Sequence, residues 1–154
     1  MIPTRQYHLV TLGCPKNEVD SDKLAGTLVA DGMVSTDRPG DADLIVVNTC
    51  AFVEDARRES IDTVLALADQ RRDGARLVVT GCMAERYGTE LADELPEVDQ
   101  VVGFGVPIAL GKTRSNGAPP PAMDLLNLPR PASTRPWAYV KAAEGCDRAC
   151  GYCA

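Results

Sequence analysis

No apolar run in this sequence approaches the ~20 residues that a membrane-spanning helix needs. The first residues, Met1 to Gln6, lack the apolar stretch of a signal peptide, so a cytoplasmic location is the default expectation. Positive charge is scarce: 16 Lys and Arg stand against 22 Asp and Glu, a formal charge of −6. Bulk attraction to nucleic acid is not expected from that balance, and nucleic acid is not an expected partner of this segment. Internal repeats are missing, and histidine is reduced to His8. What remains has the balance of a globular protein, with 45% apolar and 25% charged residues in 154. That length can bury a core without disulfide staples.

Cysteine is the informative residue. There are six: Cys14, Cys50, Cys82, Cys146, Cys150 and Cys153. In a reducing compartment three disulfides are not expected. The six divide into three that stand far apart and three that crowd together, a pattern that points to metal or iron–sulfur ligation.

Tyr7 to Leu12 is predicted as a strand closed by Gly13-Cys14-Pro15. Asn17 is predicted to cap the helix that follows, whose apolar face is drawn from Leu24, Leu28 and Val29. Leu44 to Val47 is a continuous apolar run, as in a strand buried on both faces, and Asn48-Thr49-Cys50 comes next. Ile61, Val64, Leu65 and Ala68 fall at i, i+3, i+4 and i+7, the stripe of an amphipathic helix. Arg76 to Thr80 is a third strand, Gly81-Cys82 ends it, and a helix runs from about Met83 to Leu95. A fourth strand is expected at Val101-Val102 and a short helix over 106–112. The alternation predicts an α/β fold with an open parallel sheet and flanking helices over residues 1–112. Six of the 11 prolines then fall between 119 and 136, marking 113–136 as an extended linker. Trp137 to Lys141 is predicted as a new strand.

Cys14, Cys50 and Cys82 each sit one to three residues past a predicted strand. In a parallel sheet those ends share one edge, the edge where open α/β sheets bind ligands. Three adjacent strand ends span roughly 10 Å, room for an iron–sulfur cluster. Two other readings stay open. Small buried cysteines can simply prefer an interior. Structural zinc wants four ligands, usually in close pairs, whereas here there are three and His8 lies inside the first strand as an ordinary packing residue.

Cys146, Cys150 and Cys153 form Cys-x3-Cys-x2-Cys. Three thiolates leave one iron of a 4Fe–4S cluster open to a substrate or cofactor. The segment Cys146-Asp147-Arg148-Ala149-Cys150-Gly151-Tyr152-Cys153 resembles the radical S-adenosylmethionine signature. A three-cysteine α/β domain followed by this signature is similar to the methylthiotransferase family. Leu12-Gly13-Cys14-Pro15-Lys16-Asn17-Glu18-Val19-Asp20-Ser21 resembles its branch that modifies a ribosomal protein, and Asn48-Thr49-Cys50 and Thr80-Gly81-Cys82 match its other two cysteine sites.

The resemblance implies two 4Fe–4S clusters, one on Cys14, Cys50 and Cys82 and one on Cys146, Cys150 and Cys153, with S-adenosylmethionine as methyl donor and radical source. It implies a transferase that places a methylthio group on the β-carbon of an aspartate in ribosomal protein uS12, served by an electron donor and a sulfur source. It puts Tyr152 beside the adenine, although a loop aromatic covering the cluster is an equal reading. Asn17 and Asn48 are candidates to donate hydrogen bonds to thiolate sulfur, against the cap for Asn17 and a turn role for Asn48. Lys16 is a candidate to balance an anionic cluster or an ordinary surface lysine. The family continues into a radical-enzyme barrel, of which 137–154 holds the first strand and cluster loop; the chain alone is expected to be inactive. The alternatives are the tRNA-modifying branch of the family, which usually has Gln-Met where Pro15-Lys16 stands, and a non-catalytic iron–sulfur electron-transfer module.

Overall fold

In the computed structural model, which describes residues 4–103, 108, 130, 132, 134–140 and 148–151, the run Leu44 to Thr49 is the middle strand of a five-stranded sheet. The elements are β1 (Gln6–Thr11), α1 (Pro15–Ala30), β2 (Val34–Ser35), a 3-10 turn (Pro39–Asp41), β3 (Leu44–Thr49), α2 (Glu54–Gln70), β4 (Arg76–Gly81), α3 (Cys82–Glu94) and β5 (Gln100–Val101). The strands lie in the order β2-β1-β3-β4-β5, and every pairing is parallel. No helix among the described residues is long and apolar enough to cross a membrane.

Every residue of β3 is buried, because helices cover both of its faces. Successive side chains alternate between two layers. Leu44, Val46 and Val78 pack with Leu28 of α1, Met33 and Tyr7. Ile45, Val47, Leu77 and Val79 pack with Val64 and Leu67 of α2 and Met83 and Leu91 of α3. Burying each Leu, Ile or Val of these layers contributes about 1.5–3 kcal/mol. The chain order reverses at β1, which neighbours both β2 and β3, so the switch point lies between β1 and β3.

Several expectations change on contact with the packing. Asn17 does not cap α1. That helix starts at Pro15, whose ring presets a helical φ and lacks the N–H that would go unpaired there, and Cys14 occupies the cap position with no side-chain cap bond. Asn17 points inward and is fully buried. Val29 is exposed, and the buried face of α1 is carried by Val19 and Leu28. In α2 the buried stripe runs Ser60, Val64 and Leu67, while Leu65 faces outward. Asn48 lies within β3 rather than in a turn. The fourth expected strand is β5, one residue earlier than read, and β2 was not foreseen.

Residues 137–140 form no strand. Trp137, Tyr139 and Val140 suit a strand, but a strand exists only through hydrogen bonds to a neighbour, and no described segment runs beside them. Arg130 instead donates to the Tyr139 carbonyl at 3.0 Å, and the Arg135 guanidinium lies 5.2 Å from the centre of the Trp137 ring. The expected helix over 106–112 (save Ile108), most of the linker over 113–136, Lys141, and the site residues Cys146, Tyr152 and Cys153 lie outside the described residues.

Candidate functional site

Cys14, Cys50 and Cys82 stand at the carboxyl ends of β1, β3 and β4, three strands that neighbour one another in the sheet. The ladder pairs Thr11 with Asn48 and Thr49 with Gly81, so the three strands finish nearly flush. All three thiols are free. Cys14 is exposed, Cys82 is half-buried and Cys50 is buried at 7% exposure.

Two glycines make this closeness possible. Gly13 has φ +91, and a Cβ there would stand 2.7 Å from Cys50 Cβ and 2.8 Å from Cys50 Sγ. The loop carrying Cys14 therefore lies directly against Cys50. Gly81 has φ +93, and a Cβ there would meet Asn48 Oδ1, with Thr49 O at 2.6 Å and Thr49 N at 2.7 Å. Both positions need a residue that tolerates positive φ and adds no side chain.

Cys50 is pinned from below by Ser60. Its N–H donates to Ser60 Oγ at 3.1 Å, and that hydroxyl faces the Cys50 and Ala56 carbonyls at 3.1 and 2.8 Å. Nothing in the sequence reading singled out Ser60. The signal was a serine on the stripe that continues through Val64 and Leu67, a polar group placed where the helix buries its face.

A buried polar network lies beneath the sulfurs. Asn17 Nδ2 donates to Leu12 O at 2.7 Å and to Thr49 O at 3.0 Å. Asn48 Nδ2 donates to Asn17 O at 3.0 Å and to Ser21 Oγ at 2.9 Å. Thr11 Oγ1 donates to Ser21 Oγ at 2.7 Å. Asn48 Oδ1 is buried with no hydrogen-bond partner and faces Gly81. The Cys82 thiol donates to Asn17 Oδ1 across 3.7 Å. Neither asparagine donates to a sulfur, so the expectation of amide N–H groups aimed at thiolates does not hold. His8 is the strand residue foreseen for it, with Nδ1 donating to the Thr36 carbonyl at 2.8 Å.

Burial pushes the Cys82 thiol above its ordinary pKa. Lys16 opposes the rise, while Cys50, Cys14 and Asp20 add to it. These contributions to Cys82 place Cys50, Cys14, Lys16 and Asp20 within electrostatic reach of its sulfur. No group of three or more His, Cys, Asp or Glu side chains among the described residues is arranged around a single metal ion. A single tetrahedral ion draws its sulfurs to within about 3.8 Å of one another. Cys14, Cys50 and Cys82 are nonetheless soft sulfur donors on three separate loops, the residue type that could hold iron or another soft metal.

Cys150 is described and half-buried; Cys146 and Cys153 lie outside the described residues. Against α1, Arg130 pairs with Asp22 at 2.6 Å and Arg135 with Glu18 at 3.3 Å. They roof a cavity of about 560 Å³ over Thr11 and Ser21, with Trp137 and Tyr139 on its far wall. None of the described cysteines lines it.

Comparison with known proteins adds the following. Residues 6–103 match the family described as uncharacterized protein family UPF0004. The chain is 45% identical over 161 residues to "Ribosomal protein uS12 methylthiotransferase RimO" of Desulfosudis oleivorans, covering 96% of this chain and 37% of that protein. The protein of the same name from Myxococcus xanthus is 43% identical over 159 residues, covering 97% and 33%. That from Thermotoga maritima is 43% identical over 148 residues, covering 92% and 34%. The chain spans about a third of the length of the curated relatives it matches.

Proposed function

The chain belongs to the UPF0004 family, and from that premise we propose that it is part of a methylthiotransferase acting on the β-carbon of an aspartate in ribosomal protein uS12. The observation that carries the reading is the meeting of Cys14, Cys50 and Cys82 at the ends of three adjacent parallel strands. The names of the relatives supply the substrate, and the excess of acidic over basic residues suits a basic protein partner.

Cys14, Cys50 and Cys82 would hold one 4Fe–4S cluster, and Cys146, Cys150 and Cys153 a second, with Tyr152 beside the adenine of S-adenosylmethionine. When bound, such clusters supply sulfur activation at an open iron and one-electron reduction of S-adenosylmethionine. The neighbouring residues would keep these ligands in place. Ser60 fixes the Cys50 backbone, and Gly13 and Gly81 let the three loops approach. Cys50 is buried and Cys14 exposed, so a core held by the three would be reached from the Cys14 side. Lys16 favours the thiolate form of Cys82.

Two measurements test the reading. Iron and sulfide are quantified after anaerobic reconstitution of the chain, with each cysteine triplet changed to alanine in turn. Loss of about half the iron with either triplet is the expected result; uptake of zinc alone refutes it. The complete enzyme containing this chain is then offered a uS12 peptide and tRNA, and mass gain on the tRNA alone transfers the assignment to the other branch of the family.

A further inference from the structure

We propose that Asn17 is the positioning residue that sets the spacing of the three cysteine-bearing loops. The inference deepens, and rests on, the reading that Cys14, Cys50 and Cys82 hold one cluster. Loops leaving a parallel sheet at its carboxyl edge have no ladder to hold them together. The last backbone bond there between β1 and β3 runs from Leu12 N to Asn48 O at 2.9 Å. Beyond it, Asn17 takes over.

The side chain is fully buried beneath the rim. Its two amide hydrogens go to two carbonyls: Leu12 O, on the loop that leads to Cys14, and Thr49 O, immediately before Cys50. With both hydrogens committed, the orientation of the amide is settled, and its oxygen faces the third loop, where it accepts from the Cys82 thiol. The backbone of Asn17 completes the arrangement. Its N–H donates to Cys14 O at 2.9 Å, and its carbonyl accepts from Asn48 Nδ2. In the metal-free chain one residue is thereby bonded to all three loops, which presets their spacing before a core binds; iron displaces the Cys82 thiol proton, and the bonds to Leu12 O, Thr49 O and Cys14 O do not depend on it. A helix cap would serve one element; this group serves the relative placement of three. Because no amide hydrogen is left for a sulfur, Asn17 acts on a bound core through ligand spacing and not through N–H donation to thiolate. Aspartate in its place keeps the shape but lacks both donors.

The test uses the full chain carrying Cys146→Ala, Cys150→Ala and Cys153→Ala, reconstituted anaerobically with ferrous iron and sulfide. Iron release to a chelator and the visible charge-transfer spectrum are followed. Asn17→Ala and Asn17→Asp are expected to speed release about 10- to 100-fold, the usual range for losing a partner that orients metal ligands. Ser21→Ala is the comparison. It breaks the same buried network through Asn48 and Thr11, bonds to no cysteine loop beyond them, and is expected to stay near the parent rate. Release at the parent rate from a folded Asn17 variant, or equal acceleration by Ser21→Ala, overturns the proposal. Should neither Asn17 variant fold, the metal-free parent decides by NMR. Both Asn17 side-chain amide protons are expected to be protected from solvent exchange, and rapid exchange overturns the spacing role. Failure of the parent to take up iron rejects the cluster reading instead, and the NMR result still judges the placement.

Discussion

Replacing Gly81 with alanine tests the geometry of the rim most directly. Two costs arise. An alanine at φ +93 and ψ −163 sits in a region open essentially to glycine alone, which costs about 1–3 kcal/mol. Its Cβ also collides with Asn48 Oδ1 and with the backbone N and O of Thr49. Those Thr49 atoms belong to the paired strand β3 and cannot give way without parting β3 from β4, so overpacking adds about 1–3 kcal/mol. Gly74→Ala supplies the reference. Gly74 has φ +82, and a Cβ there meets nothing within 4 Å, so it carries the strain without the collision. The expected loss is about 2–6 kcal/mol for Gly81→Ala against about 1–2 for Gly74→Ala. In urea, with a slope of about 1–3 kcal/mol per molar, the difference moves the midpoint by about 1 M. Midpoints for the two variants that correspond to stabilities within about 0.5 kcal/mol of each other refute the reasoning, because a change of that size is what an ordinary surface site gives.

Other perturbations read different parts of the site. Ser60→Ala leaves the buried Cys50 N–H without its partner and is expected to cost about 1–3 kcal/mol, measured by urea unfolding; an unchanged midpoint contradicts the pinning of Cys50. Iodoacetamide is expected to label exposed Cys14 well before buried Cys50, as read by peptide mass mapping, and equal rates contradict the placement of the two thiols. Burial lifts the Tyr7 phenol above 10.0, with a hydrogen bond to Ser35 opposing. The folded value exceeds the unfolded one, so this contribution to stability is complete below pH 10.0 and fades as pH rises through the folded value. Between about pH 9 and pH 11 the wild type should therefore lose more stability than Tyr7→Phe, and equal losses count against the buried phenol.

What could be read in advance follows from which signals are local. Leu44 to Val47 announces a doubly covered strand because nothing but burial on both faces favours such a run. Strand-end placement brought Cys14, Cys50 and Cys82 to one edge, since parallel order forces successive strand ends to the same side. The misses share a cause. Asn17, three residues after Cys14, looks like a cap when only its neighbours in sequence are considered; its bonds go to Leu12 and Thr49, and the second of these is remote in sequence. Leu65 and Leu67 are equally apolar, and only the position of α2 on the sheet decides that Leu67 faces in. Val34–Ser35 is too short to carry a periodic signal, and it is ordered by pairing with Gln6 and Tyr7. Trp137 to Val140 has strand composition but pairs with no strand among the described residues.

The near-flush ending of β1, β3 and β4 carries an implication for how this domain tolerates changes of length. At the amino edge, the turns at Gly32 and Gly74 stand in open space, and an extra residue there lengthens a connection and nothing more. At the opposite edge a single residue inserted in β3 ahead of Asn48 reverses which way Asn48 points and displaces Cys50, because side chains alternate along a strand. Insertions and deletions between kindred sequences should therefore gather at one rim of the sheet and be purged from the other, an asymmetry visible in gap patterns alone.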